Sequence, residues 1–128
     1  MLETTVWQKF WTTWPCYAKR VEPGGGDFDS GFPDVHVLDR KGRIGFLELK
    51  RPDKVELNKN QWAWHEEFSD NGGRSCVVTC MTVVNRNKVM WQVFVPDFKK
   101  RELVLLKQNL LFPLEMVEVV AQRLRLEV

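Results

Sequence analysis

Phe46-Leu47-Glu48-Leu49-Lys50 sets two oppositely charged side chains into an otherwise apolar run. Charged residues seldom enter such a run without a partner or a task. Side chains alternate in direction along a strand, so Glu48 and Lys50 project from one face and Leu47 and Leu49 from the other. Upstream, Val35 and Val37 alternate with Asp34, His36 and Leu38, and Arg40-Lys41-Gly42 supplies turn chemistry before Ile44 resumes an extended pattern. A β-hairpin follows from this reading, and its turn brings positions near Asp34 opposite positions near Glu48 or Leu49. Two carboxylates and an ammonium then share one end of one sheet face.

The flanking segments complete an α/β pattern. Trp7, Phe10, Trp11 and Trp14 recur at helical spacing between Glu3 and Trp14, and Pro15 discourages continuation. The turn-rich stretch Glu22-Pro-Gly-Gly-Gly-Asp-Phe-Asp-Ser-Gly reads as a loop leading into Pro33-Asp34. Asn58 to Phe68 lacks β-branched residues and is closed by Asn71-Gly72-Gly73, which predicts a second helix. Ser75 to Val84 and Val89 to Val95 are β-rich runs joined by the polar turn Asn85-Arg86-Asn87-Lys88. The tail from Phe98 to Val128, Leu-rich and charged around Pro113, predicts one or two short helices. The order helix, hairpin, helix, strand, strand, helix describes an α/β domain with a mixed sheet.

A chain of 128 residues suits one domain spanning positions 1–128 with a single core. Apolar residues at 44% and charged residues at 28% exclude a disordered chain and a membrane class. No stretch approaches the roughly 20 apolar residues of a membrane helix, and MLETTVWQKF lacks a basic region followed by an apolar run, so a cytoplasmic protein is expected. Cys16, Cys76 and Cys80 are odd in number and show no metal-binding spacing, which predicts reduced, mostly buried thiols. The formal net charge of +2 permits nucleic-acid binding without requiring it.

Two ionised carboxylates side by side repel one another, and a hard divalent cation with oxygen ligands removes that repulsion. Mg²⁺, with Mn²⁺ as a substitute, is the natural occupant of an Asp34–Glu48 pair. Phosphodiester hydrolysis needs a Lewis acid and a positive charge beside the reacting phosphate, and such a cation with the Lys50 ammonium would supply both.

Gly31-Phe32-Pro33-Asp34 followed by Phe46-Leu47-Glu48-Leu49-Lys50 resembles the signature of the PD-(D/E)XK nucleases. More narrowly, Ser30 to Asp34, the hairpin to Lys50, Leu57-Asn-Lys-Asn-Gln61 and Gly72-Gly73 before a strand resemble the stand-alone VRR-NUC nucleases common in phages. The resemblance covers roughly Glu22 to Met81, and Val89 to Val128 carries no matching motif. It implies a single restriction-endonuclease-like domain, a mixed sheet flanked by helices with an αβββαβ core. It further implies that Asp34 and Glu48 are metal ligands, that the Leu49 backbone carbonyl adds another, that Lys50 is catalytic and that Gln61 lines the site. An acidic residue near the metals is expected from Glu3 on the first helix, or from Glu22 in its place.

Other features read more plainly. His36 reads as a packing or surface residue in preference to a catalytic one, and His65, one helical turn after Gln61, is read equally as pointing toward substrate or as solvated. The tryptophan stripe Trp7, Trp11 and Trp14 reads as core in preference to a base-stacking surface. Lys19-Arg20, Arg40-Lys41-Gly42-Arg43, Lys50-Arg51 and Lys99-Lys100-Arg101 are local basic clusters, of which Lys19, Arg20 and Arg51 are the expected phosphate contacts. No zinc-finger, helix-turn-helix or RNP-like pattern supports base reading. The expected activity is a structure-selective DNA endonuclease acting on branched or Holliday-junction DNA as a homodimer, with the Trp-rich helix as interface. The rival readings are a catalytically silent DNA-binding or assembly protein of the same fold, and a nicking or processing nuclease of a recombination or packaging complex.

Overall fold

The computed structural model describes residues 1–21, 31–83 and 88–128. Its elements, in chain order, are α1 (Glu3–Thr13), β1 (Ala18–Arg20), β2 (Val35–Leu38), β3 (Ile44–Leu49), α2 (Lys59–Asp70), β4 (Ser75–Val83), β5 (Lys88–Asp97), β6 (Glu102–Leu110) and α3 (Pro113–Leu124). Among the described residues the strands form one six-stranded sheet in sequential order from β1 to β6. β3 and β4 run parallel, joined by α2, and the other neighbours are antiparallel. The single α/β domain with a mixed sheet is as expected, and α1 to β4 reproduce the αβββαβ order.

Period-2 alternation sorts the side chains onto two helical layers. Val35, Val37, Leu47, Leu49, Val78 and Trp91 face a core shared with Val6, Phe10 and Trp14 of the α1 segment and Met116, Val120 and Leu124 of α3. On the other face Trp62 of α2 packs with Val77, Phe94 and Phe98. The tryptophan stripe of α1 divides: Trp14 is buried, stacks on Phe10 and donates its Nε1–H to Leu38 O at 3.0 Å, whereas Trp11 is 56% exposed. That exposure departs from the expectation of core burial, because α1 turns only one stripe to the sheet.

Two elements differ from the sequence reading. β1 pairs Ala18 with Val37 and Arg20 with Val35, and its three residues are too few to show a period. β6 replaces the helix expected after Phe98. Asp97 Oδ1 accepts from the amides of Lys99 and Lys100 at 3.1 and 3.2 Å, and Arg101 takes a positive φ of 51°. This turn sends Leu103-Val104-Leu105 back along β5, where strand pairing overrides the helical preference of leucine. α3 then starts at Pro113, as expected from a proline at the first helical position.

The loop read from Glu22 onward and the turn Asn85 to Asn87 lie outside the described residues. Cys16, Cys76 and Cys80 are free thiols, and burial pushes those of Cys76 and Cys80 up to about 12 and about 11. Among the described residues no helix is long and apolar enough to cross a membrane.

The β2–β3 turn is organised by Asp39, which is 5% exposed. Its Oδ1 accepts from the amides of Lys41 and Arg43 at 2.9 and 2.8 Å, and its Oδ2 from Arg43 Nε and the Glu127 amide at 2.8 and 2.9 Å. Lys41 and Arg43 also face Glu127 at 3.0 and 3.6 Å, so the basic cluster at this turn closes the hairpin onto the C-terminal segment. It lies at the opposite end of the strands from Asp34 and Lys50.

Burial alone would raise the Asp39 pKa, but the Glu127 and Arg43 amides, the Arg43 guanidinium and the Lys41 amide outweigh it and hold the carboxyl well below the usual carboxylate range. A group shifted this way contributes stability that is present above its unfolded pKa and lost as pH falls towards its folded one. Urea unfolding should therefore show the wild-type midpoint falling between about pH 5 and about pH 2. Asp39→Asn should begin from a lower midpoint at neutral pH and lose less on acidification.

Candidate active site

Asp34 stands immediately before β2, and Glu48 lies in β3. The β2–β3 register pairs Val35 with Leu47, so one further step sets Asp34 opposite Glu48 on the α2 side of the sheet. Asp34 Oδ1 accepts from the Leu49 amide at 3.1 Å. The Leu49 carbonyl points toward the same neighbour as its amide, because a strand residue directs both groups to one side. Pro33, next in the extended register, has no N–H to offer that carbonyl. The Pro-Asp dipeptide thus occupies the Leu49 amide with a carboxylate and withholds a backbone donor from the carbonyl.

Glu48 is 1% exposed, and Asp34 Oδ2 and Glu48 Oε1 are buried oxygens without a hydrogen-bond partner. Burial first, then the charge of Glu48 and a hydrogen bond to it, push the Asp34 pKa up to about 9 against the opposing Leu49 amide. Burial likewise raises Glu48, to about 7, against the hydrogen bond from Asp34 and the charge of Lys50. Both shifts share desolvation as their leading cause; the charge of Glu48 adds to it at Asp34, whereas the contact with Asp34 works against it at Glu48. Without a cation the pair keeps a proton.

Lys50 follows β3, and its Nζ donates to Gln61 Oε1 at 3.0 Å. The same oxygen accepts the Asn58 amide at 3.0 Å, while Asn58 Oδ1 accepts the Gln61 amide at 2.8 Å. This reciprocal cap starts α2. Gln61 is thereby joined directly to Lys50. The preceding chain reaches α2 closely because of Gly31, whose φ is 87° and whose missing Cβ would overlap the Asn60 carbonyl. Only glycine suits both conditions.

Aromatic rings flank the carboxylates on the hairpin side. Phe46, two residues before Glu48, packs edge-to-face on His36 at 4.9 Å and on Trp64 at 5.6 Å, and Phe32 joins them. Burial lowers the His36 pKa, and its ring is part of this packing, as expected.

His65 was missed by the sequence reading. It is fully buried, with Nδ1 2.5 Å from Ser75 Oγ and Nε2 3.4 Å from Glu48 Oε1. Burial, then the charge of Lys50, lower its pKa to about 4, so the ring is neutral. The signal was its i+4 spacing from Gln61, which places both on one helix face.

A cavity of about 420 Å³ opens beyond the carboxylates, lined by Glu3, Lys50, Arg51, Lys54, Glu56 and Asn58. Glu3 is close enough that its charge raises both carboxyl pKa values, but its Oε1 lies 3.2 Å from Arg20 Nη2. The pair joins Arg20 to one oxygen of Glu3, and Glu3 also lines the cavity. Arg51 lies 3.4 Å from exposed Asp53 and lines the cavity, whereas Lys19 is exposed on β1 opposite His36. Glu22 lies outside the described residues.

Among the described residues no group of three or more His, Cys, Asp or Glu side chains forms a metal-ligand cluster. Mg²⁺ does not demand one, since it commonly takes one or two carboxylates and retains several waters. The two unpartnered buried oxygens of Asp34 and Glu48 and the Leu49 carbonyl fit such a cation. Comparison with protein-family models, curated proteins and solved structures returned no match.

Groups whose folded pKa is raised contribute stability that is fully present below the unfolded value, about 4, and lost as pH rises through the folded values. In EDTA the melting temperature should fall between about pH 5 and about pH 9, and Mn²⁺ or Mg²⁺ should restore it. Asp34→Asn retains an acceptor for the Leu49 amide and removes the repulsion. It should stabilise the metal-free protein at about pH 8 by roughly 1–3 kcal/mol and abolish the metal-induced gain.

Proposed function

We propose that this chain is a metal-dependent DNA endonuclease whose site comprises Asp34, Glu48, Lys50 and Gln61. The observation that carries the reading is the buried Asp34–Glu48 pair, with an unpartnered oxygen on each carboxyl, beside a lysine oriented by glutamine. Perturbed carboxyls next to a cavity lined by Lys50, Arg51 and Lys54 together with Glu3 and Glu56 suit phosphate chemistry better than structural pairing, because a structural pair would join opposite charges.

Asp34, Glu48 and the Leu49 carbonyl would hold Mg²⁺ or Mn²⁺, which supplies Lewis-acid polarisation of the phosphodiester when bound. Lys50 Nζ, held at 3.0 Å from Gln61 Oε1, presents a positive charge where negative charge develops on the phosphate. Water adds to phosphorus as the P–O3′ bond breaks, the water's proton is released, and the 3′ oxygen leaves to be protonated. The products carry 5′-phosphate and 3′-hydroxyl ends. Arg51 and Lys54 line the cavity and would reach neighbouring backbone phosphates by giving up their exposed partners Asp53 and Glu56, at 3.4 and 3.8 Å, and exposed Lys19 extends the basic surface.

The resemblance to VRR-NUC nucleases favours branched or junction DNA. A two-fold dimer would present one site to each strand of a symmetric junction, and Trp11 on α1 is the exposed ring available for such an interface.

Labelled duplex, single-stranded, flap and four-way-junction DNA incubated with Mg²⁺, Mn²⁺ or EDTA tests the activity. Metal-dependent cutting is expected, with Lys50→Ala and Glu48→Gln each reducing the rate by at least about 100-fold while the fold persists. Folded variants that cut at the wild-type rate would sink the site assignment, and a wild type that binds DNA without cutting would favour a silent binding protein. Salt titration separates the wall residues from the centre. Lys54→Ala should weaken binding across sequences and reduce the slope of log affinity against log salt by about 1.

A further inference from the structure

His65 stands on α2 one turn beyond Gln61, with its ring fully buried. Burying an imidazole nitrogen without a partner costs free energy, so a residue kept in this state has a reason beyond filling space. His65 Nε2 and Glu48 Oε1 are both buried atoms lacking a hydrogen bond, and they face one another at 3.4 Å. The other nitrogen, Nδ1, is engaged by Ser75 Oγ at 2.5 Å.

We infer that His65 is a positioning residue for Glu48, holding Oε1 in one orientation for the cation of the proposed nuclease, with Ser75 selecting the tautomer that does so. The inference rests on that nuclease reading. When the Ser75 hydroxyl donates to Nδ1, the ring hydrogen resides on Nε2, the nitrogen 3.4 Å from Glu48 Oε1. The opposite tautomer would set the Nε2 lone pair against a carboxylate oxygen, acceptor against acceptor. Ser75 is itself fixed: it opens β4, pairs in register with Phe46 two residues before Glu48, and its carbonyl accepts Arg123 Nε at 3.0 Å.

Three elements thus converge on one carboxyl oxygen. β3 brings Glu48, β4 brings Ser75 and α2 brings His65, so the oxygen's orientation is set by the packing of a helix on a parallel strand pair. A contact of 3.4 Å reaches hydrogen-bond length with a shift of a few tenths of an ångström, and contacts of this kind commonly tighten when a site is loaded. Partners that orient a metal-binding carboxylate act on affinity without touching the substrate. A purely space-filling ring would be replaceable by phenylalanine, and neighbouring Trp64, 5.4 Å away by ring centroid, shows that aromatic bulk already lines this side of α2.

The test is calorimetric titration of the full chain with Mn²⁺ alone, for wild type, His65→Phe, His65→Gln and Ser75→Ala, with thermal melts in EDTA reporting the fold. His65→Phe should weaken Mn²⁺ binding by about 10–100-fold while still melting cooperatively. His65→Gln, whose amide N–H reaches toward Glu48, should recover most of the affinity, and Ser75→Ala should fall between. Wild-type affinity in folded His65→Phe overturns the inference, and so does a folded His65→Gln that binds no better than a folded His65→Phe. If His65→Phe does not fold, Ser75→Ala decides: reduced affinity supports the inference and wild-type affinity overturns it. A wild type that takes up no Mn²⁺ removes the proposed function itself, whereas uptake indifferent to these substitutions removes only the role of His65.

Discussion

The burial of the Asp34 and Glu48 carboxyls side by side is the constraint around which this site is arranged. Both pKa values are raised chiefly by burial, and each carboxyl keeps an oxygen that the protein does not satisfy. A fold that tolerates this must hold the two groups together against their mutual charge, and the surrounding elements do so. Asp34 is tied to the Leu49 amide at 3.1 Å, and Glu48 sits in a strand bounded by one antiparallel and one parallel neighbour.

The same strand serves stability and chemistry on opposite faces. Leu47 and Leu49 are fully buried in the core with α1 and α3, and this burial anchors Glu48 facing α2. Shifting β3 by one residue would exchange the leucines for the charges, so its register is held by the hydrophobic effect. α2 then contributes twice through one residue, because Gln61 both caps the helix and accepts Lys50 Nζ. The helix start and the lysine's orientation are a single hydrogen-bond arrangement.

Legibility in the sequence followed the range of each interaction. The hairpin, α1, α2 and the approach of positions near 34 to positions near 48 or 49 were readable, since alternation and turn residues encode them locally. β6 was read as helix because Leu103 to Leu106 carries no polar alternation, and only its ladder with β5 makes it a strand. Arg20 and Glu3 were each read separately, and the folded chain places them 3.2 Å apart. Their separation along the chain hid that pairing.

The sequence by itself determined α1, the β2–β3 hairpin, α2 and β4, though not β1, and the side of the sheet on which Glu48 and Lys50 project. These follow from periods and spacings within short windows. Tertiary structure alone decided that Lys50 is held by Gln61, that His65 is buried against Glu48 and Ser75, and that the basic turn closes onto Glu127. Each of these depends on residues distant in the chain, brought together when α2 packs on the β3–β4 pair and the C-terminal segment returns to the hairpin. Burial and hydrogen-bond partners are properties of that packing, and a local pattern does not carry them.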